Sequence, residues 1–312
     1  MRAIILGGTG AMGGAAAKML AANGWSVDVT GRHPEQMPQE LSEAGVRFHP
    51  IERSNADAVE RLVGNGAELL VDLLTYQAAD VCALLPAMSS VDCPVLISTR
   101  AVYVDPEGHH VNSDEPPKFA GPINETSLTL PPAHDDVNPF TREGYAPSKV
   151  AAERTALDSG LPITVIRPSK VHGRWARNPR TRSFVELMVR GEQDIELAGA
   201  ASIDHLTAAT NTAALIATIA SQPGARILNS ADPDSPTAEQ TVRAIGRHLG
   251  WTGTLKFLDD VSDPERGRNP WLARHPIVLD TIASAELGYV PVGTGLALLA
   301  EEVDWVAERV RA

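Results

Sequence analysis

The sequence predicts an α/β fold, with a doubly wound parallel sheet and a smaller C-terminal lobe, on three observations. Short apolar runs alternate with longer amphipathic ones, a glycine-rich turn links the first of each, and breaker-rich sequence interrupts this rhythm only after residue 103. The runs are "RAIILGG" (2–8), "AMGGAAAKMLAANG" (11–24), "WSVDVT" (25–30), "VRFHPI" (46–51), "NADAVERLVGN" (55–65), "ELLVDLL" (68–74) and "CPVLIST" (93–99). Near-continuous apolar strands spaced by helix-length segments belong to a sheet covered on both faces. "APSKVAAERTALDSG" reads as a helix stopped by Gly160, and "LPITVIRP" as a buried strand closed by Pro168. Between Tyr103 and Gly144, segments such as "DEPPKFAGP" and "LPPAHDD" predict a long loop over the sheet. Beyond it, "TRSFVELMVRG" and "LTAATNTAALIATIAS" read as helices, "ARILNSAD" as a strand returning to the sheet, and the tail as an amphipathic helix with a Leu, Val and Trp core face. The expected division is a sheet domain over 1–170, joined by 225–248, and a lobe made of 171–224 and 249–312.

Composition narrows the function classes. The formal charge of −12 repels nucleic acid on average, so no nucleic-acid partner is expected. Cys82 and Cys93 stand in no metal-ligand spacing, and "HH" at 109–110 lacks a second pair, so no metal site is expected either. The apolar run after Met1 is too short for a signal peptide or membrane span, which points to a cytoplasmic protein.

"LGGTGAMGG" follows the first strand and opens the first helix, with Gly7, Gly10 and Gly13 at GxxGxxG spacing. Glycines there permit a tight turn, let a pyrophosphate reach the free N–H groups of the helix, and let the helix pack near the sheet. The fold is therefore read as Rossmann-type and the 1–170 unit as an NAD(P)-binding domain, with Thr9, Ala11 and Met12 completing the loop. An acid about 20 positions on would hold the adenosine ribose. That place reads "VTGRHP", with Thr30 and Gly31 followed by Arg32. A guanidinium there pairs with a 2′-phosphate, so NADP is the expected cofactor. NAD stays open through Asp28, two residues before Thr30, should the strand end be shifted.

The stretch "EGYAPSK" places Tyr145 and Lys149 four apart. With four tyrosines and five lysines in 312 residues, chance supplies only about 0.06 such pairs. On a helix the two share a face, with Pro147 suited to the first turn. A phenol of pKa about 10 needs about 4 kcal/mol to become a proton acceptor at neutral pH. One ammonium at about 4 Å supplies roughly that much at an effective dielectric near 20. Tyr145 is thus the expected acid/base, with Lys149 lowering its pKa.

With "GGTGAMGG", "ISTRAVY" (97–103), "YAPSK", "RPSKVHG" (167–173) and "AELGYVP", the chain resembles the extended short-chain dehydrogenase/reductases, a group of NAD(P)-dependent epimerases, dehydratases and reductases, over nearly its whole length. The resemblance implies that Thr99 orients the substrate oxygen, with Ser98 as the neighbour able to substitute, that Lys149 also holds the nicotinamide ribose, and that Pro168 lies against the cofactor. It also implies a homodimer as the form to test. Family dehydratases carry Asp-Glu after the catalytic Thr, whereas this chain has Arg100 and Ala101, which favours epimerase-like or ketoreductase-like chemistry on a nucleotide sugar or another small polar substrate. "LLTYQAA" (73–79) departs from the turn that usually meets the nicotinamide ribose, and the pattern is closest to atypical members. The rival is a non-catalytic NADP-binding sensor or RNA-associated scaffold, which has no need of an intact Tyr/Lys pair. Finally, "HGRWARNPRTR" (172–182) follows a strand whose C-terminal end faces the expected crevice, so Arg174 and Arg177, with Arg180 and Arg182 near them, are candidate clamps for a substrate anion.

Overall fold

The apolar runs become strands of one parallel sheet in the computed structural model, which describes residues 1–258 and 266–311. Its first half runs β1 (Arg2–Leu6), α1 (Ala11–Ala22), β2 (Ser26–Gly31), α2 (Gln39–Glu43), β3 (Arg47–Pro50), α3 (Ala56–Val63), β4 (Ala67–Asp72), α4 (Ala78–Met88) and β5 (Val91–Ile97). The long loop leads to α5 (Arg142–Asp158), β6 (Thr164–Pro168), β7 (Lys170–His172), α6 (Arg180–Val189), β8 (Asp194–Ala198), β9 (Leu206–Ala208), α7 (Ala209–Ile219) and β10 (Arg226–Ser230). Then follow α8 (Ala238–Leu249), β11 (Thr254–Leu258), α9 (Ile282–Glu286) and α10 (Gly295–Arg311). The main sheet has seven strands in the order β10-β6-β5-β4-β1-β2-β3, every pair parallel. Strand order reverses between β1 and β4, the point at which open parallel sheets bind ligands at their carboxyl ends.

Alternation along the strands fills both faces. Ala3 and Ile5 of β1 join α1 and α7 in one core, while Ile4 and Leu6 join α3, α4 and α5 in the other. A third core packs α6, α8 and α10 around Phe184, Val242, Ile245 and Val303, with the Phe184 ring stacked on Trp271 at 5.7 Å. Two boundaries of the sequence reading shift as a result. The helix α7, placed with the lobe, lies against α1 and covers the sheet through Ala213, Ile216 and Ile219. The helix α8, placed with the sheet, belongs to the lobe core. Both follow from hydrophobic faces whose partners are remote in sequence. The long loop is pinned by the buried Asp105 carboxylate, which accepts the N–H groups of Glu107, His109 and Lys118.

Asp28 is buried in β2 and ties three strands together. It accepts from Arg2 Nε at 2.9 Å on β1 and from Arg47 Nε at 2.8 Å on β3, and lies 2.8 Å from His49 Nε2. These donors hold its carboxyl well below the ordinary range against the upward push of burial. A depressed carboxylate contributes stability that is present above its unfolded pKa of about 3.9 and is lost as pH falls below it. Asp28→Asn is expected to cost about 2–4 kcal/mol at neutral pH and to flatten the acid limb of the stability profile. Urea titrations from pH 7 down to 3 measure both; an unchanged acid limb contradicts the assignment.

Candidate functional site

The glycine loop forms because β1 must turn into α1 beside β2. The N–H groups of Gly7 and Gly8 both donate to Thr30 O at 3.2 Å, and Gly7 takes φ +88°. A Cβ on Gly13 would sit 2.6 Å from Gly7 O, so only glycine allows this approach. A Cβ on Gly10 would meet no protein atom within 4 Å. Gly10 caps α1 without a side-chain bond and no acid stands in the first turn, so the N–H groups at Ala11, Met12 and Gly13 have no intrahelical partner. That cradle fits a dinucleotide pyrophosphate. Beyond β2, Arg32 is exposed and makes no hydrogen bond or ion pair among the described residues. Asp28 is committed to its three basic partners, so it does not serve as the ribose acid.

The second half of the site lies where β4 and β5 end. Thr99 follows β5 and caps a short 3-10 turn, Arg100–Val102, by accepting from Ala101 N at 3.2 Å. Tyr145 and Lys149 share a face of α5. This helix starts at Arg142 with Thr141 as its cap, so Pro147 falls beyond the first turn, one turn later than the sequence suggested. Lys149 is buried, and its Nζ donates to Thr75 O at 2.5 Å and Ile97 O at 3.0 Å. It lies 5.0 Å from the Tyr76 ring centroid and 5.9 Å from that of Tyr145. Burial lowers Lys149 to about 8, opposed by the carboxylates of Asp72, Glu153 and Asp80. Burial also pushes the Tyr145 phenol up, while a hydrogen bond with Thr99 pulls it down and Tyr76 adds to the rise. Two carbonyls hold the Lys149 ammonium, and it is burial that sets the direction of the Tyr145 shift.

Other sequence candidates separate from this group. Ser98 donates its hydroxyl to the buried Glu153, which is bidentate to Arg167 at 2.9 and 2.5 Å, so Ser98 is a packing hydroxyl and not a substrate contact. Arg174 pairs with Glu40 of α2 at 2.5 Å, and Arg177 reaches Thr9 Oγ1 at 3.2 Å and Gln36 Oε1 at 3.0 Å. Both arginines thus face the glycine loop and α2, not a substrate anion beside Thr99. Trp175 between them takes φ +65° and packs against Gly14 of α1, where a Cβ would lie 2.4 Å from the ring; this contact turns its neighbours toward α2. Pro168 is buried at the end of β6, opposite Ser230. Sequence reading missed the Arg53 guanidinium, which donates to Asp72 at 2.6 Å and Thr75 Oγ1 at 3.0 Å and fixes the turn whose carbonyl holds Lys149. Its signal was an acid inside an apolar strand, which needs a buried partner. Among the described residues no cluster of metal ligands occurs, and no helix is long and apolar enough to cross a membrane.

Comparison with known proteins accords with this geometry. The sequence profile described as the NAD dependent epimerase/dehydratase family matches residues 3–209. Among solved structures, a putative epimerase from Burkholderia cenocepacia is 22% identical over 98% of both chains, with a TM-score of 0.74. UDP-glucose 4-epimerase from Thermotoga maritima, solved with UDP-glucose, is 17% identical over 99% of this chain and 100% of its own, with a TM-score of 0.72. UDP-glucuronic acid 4-epimerase from Bacillus cereus, solved with UDP-glucuronic acid and NAD, is 15% identical with the same coverage and a TM-score of 0.72. At these identities the likeness is one of fold. No curated protein matches the chain.

Two predictions follow from the packing. Gly10→Ala is expected to keep the wild-type melting temperature yet weaken dinucleotide binding, whereas Gly13→Ala is expected to cost about 1–3 kcal/mol in stability as well; melting curves and ligand titrations on the two variants decide, and undiminished binding by Gly10→Ala places the pyrophosphate elsewhere. Lys149 has a depressed folded pKa, so between about 8 and 10.5 the unfolded chain holds a proton that the native one has released. Stability should rise with pH across that window relative to Lys149→Met, and parallel profiles for the two proteins would contradict it.

Proposed function

The chain belongs to the NAD dependent epimerase/dehydratase family, and on that premise we propose that it is an NADP-using oxidoreductase acting at a carbinol or carbonyl carbon of a small polar substrate, by epimerase-like or ketoreductase-like chemistry. The observation that carries this reading is the meeting of Thr99, Tyr145 and the buried Lys149 at the carboxyl edge of the sheet, across the crevice from an uncapped glycine loop.

A bound nicotinamide dinucleotide supplies the hydride donor and acceptor. The N–H groups of Ala11, Met12 and Gly13 would hold its pyrophosphate, and Arg32 would neutralise a 2′-phosphate. The hydroxyls of Thr99 and Tyr145 would present two donors to one substrate oxygen. Because burial keeps Tyr145 protonated at neutral pH, its hydroxyl delivers a proton to a carbonyl oxygen as that oxygen gains charge. The Lys149 ammonium then steadies the phenolate left behind, and its two carbonyl partners stop it swinging away. In the reverse direction the phenolate accepts the proton of a carbinol. Arg100 and Ala101 stand after Thr99 and offer no carboxyl group for water elimination, which supports epimerisation or reduction over dehydration.

Tyr145→Phe is expected to lower kcat by about 10²–10⁴-fold while leaving dinucleotide affinity nearly intact. Full activity in that variant would remove Tyr145 from the mechanism. Arg32→Ala is expected to weaken NADPH binding by about tenfold or more and NADH binding little; equal losses would refute its role as the phosphate partner.

A further inference from the structure

A cavity of about 710 Å³ is lined by Arg100, Lys170 and Asp204, with His110, Arg274 and His275 also on its wall. Arg100 directly follows Thr99. Its side chain is more than nine-tenths buried, yet among the described residues it directs no hydrogen bond from any of its N–H groups. Its Nη1 lies 2.5 Å from Asp204 Oδ1 as a charge contact, and both atoms lack a directed partner. Lys170, on β7, approaches the other oxygen of the same carboxylate and donates to Pro270 O at 2.5 Å. A buried guanidinium and a partly exposed ammonium therefore share one buried carboxylate. Arg180 is close enough to act on both Arg100 and Asp204; it donates to Val171 O at 2.6 Å and is balanced by Glu302. An excess buried cation with unused donors is costly unless an anion from outside completes it. That this excess lies within a chain of net charge −12 makes a general cationic surface an inadequate explanation.

We infer that this cavity is an oxyanion-recognising subsite, in which Arg100 and Lys170 bind a carboxylate or phosphate group of the substrate close to the oxygen held by Thr99. The inference rests on the redox reading above and narrows its substrate to acid-bearing compounds. Asp204 acts as the positioning residue: it holds the two cations at the cavity wall while leaving the fork of Arg100 free for two parallel N–H···O bonds. Arg274 on its wall adds an exposed charge that favours entry of an anion.

The test uses the full chain saturated with NADPH and follows its melting temperature against malonate and against inorganic phosphate, with chloride at matched ionic strength as reference. Wild type should respond saturably to at least one oxyanion, malonate dominating for a carboxylate subsite and phosphate for a phosphate one. Arg100→Leu should reduce the apparent affinity by about tenfold or more, whereas Arg61→Ala, a change at an exposed arginine of α3, should not. Without added oxyanion, Arg100→Leu should melt no lower than wild type, because it leaves Lys170 and Asp204 as a balanced pair. Lys170→Met provides a second variant with the same expected loss. Absence of any response beyond chloride in wild type, or an equal response in Arg100→Leu, overturns the inference. NADPH affinity measured on the same samples keeps the two readings apart: its loss in wild type sinks the redox proposal, whereas its retention with no oxyanion response sinks only this subsite.

Discussion

Burial of the Lys149 ammonium is the constraint on which the site depends. Removing an ammonium from water costs several kcal/mol, and the fold offsets this with two carbonyls and surrounding carboxylates. One carbonyl, Ile97 O, ends β5. The other, Thr75 O, belongs to the turn after β4, where Arg53 and Asp72 fix the chain. Glu153, one turn along α5 from Lys149, carries Arg167 of β6. The charge thus joins the ends of three neighbouring strands to one helix, and the face of α5 that carries Lys149 also carries Tyr145. A helix shifted by one residue would strand the ammonium and turn the tyrosine away.

Much of this was legible in sequence because it is local. Apolar runs gave the strands, the glycine spacing gave the turn, and the four-residue interval between Tyr145 and Lys149 placed both on one helical face. What escaped depends on remote partners. Periodicity does not say that α7 covers α1 or that α8 joins α6 and α10. Four arginines in eleven residues were read as one clamp, but Trp175 lodges against Gly14 and carries Arg174 and Arg177 to the glycine-loop side. A pairwise charge argument for Tyr145 also leaves out burial, which raises a phenol.

The charge pattern divides the crevice into two chemistries. On the cofactor side, Asp28 is locked by its basic partners and Arg32 is left free, so the end of β2 presents a cation where an acid would select an unphosphorylated ribose. On the lobe side, Arg100 and Lys170 outnumber Asp204 beside Thr99. Between them lie Tyr76 and Tyr145, whose rings are 6.5 Å apart, with the Lys149 ammonium 5.0 Å from the Tyr76 ring. On the proposed function, such an arrangement would hold anions at both ends of a reacting pair and leave the proton exchange to Tyr145.

The central claim is that the glycine loop and Lys149 hold a nicotinamide dinucleotide against Tyr145. Denaturing the purified protein and weighing any released dinucleotide, then titrating the emptied protein with NADPH and NADH, tests it most directly. The account predicts either retained NADP(H) or saturable binding with NADPH preferred. Release of no dinucleotide together with binding of neither would contradict it.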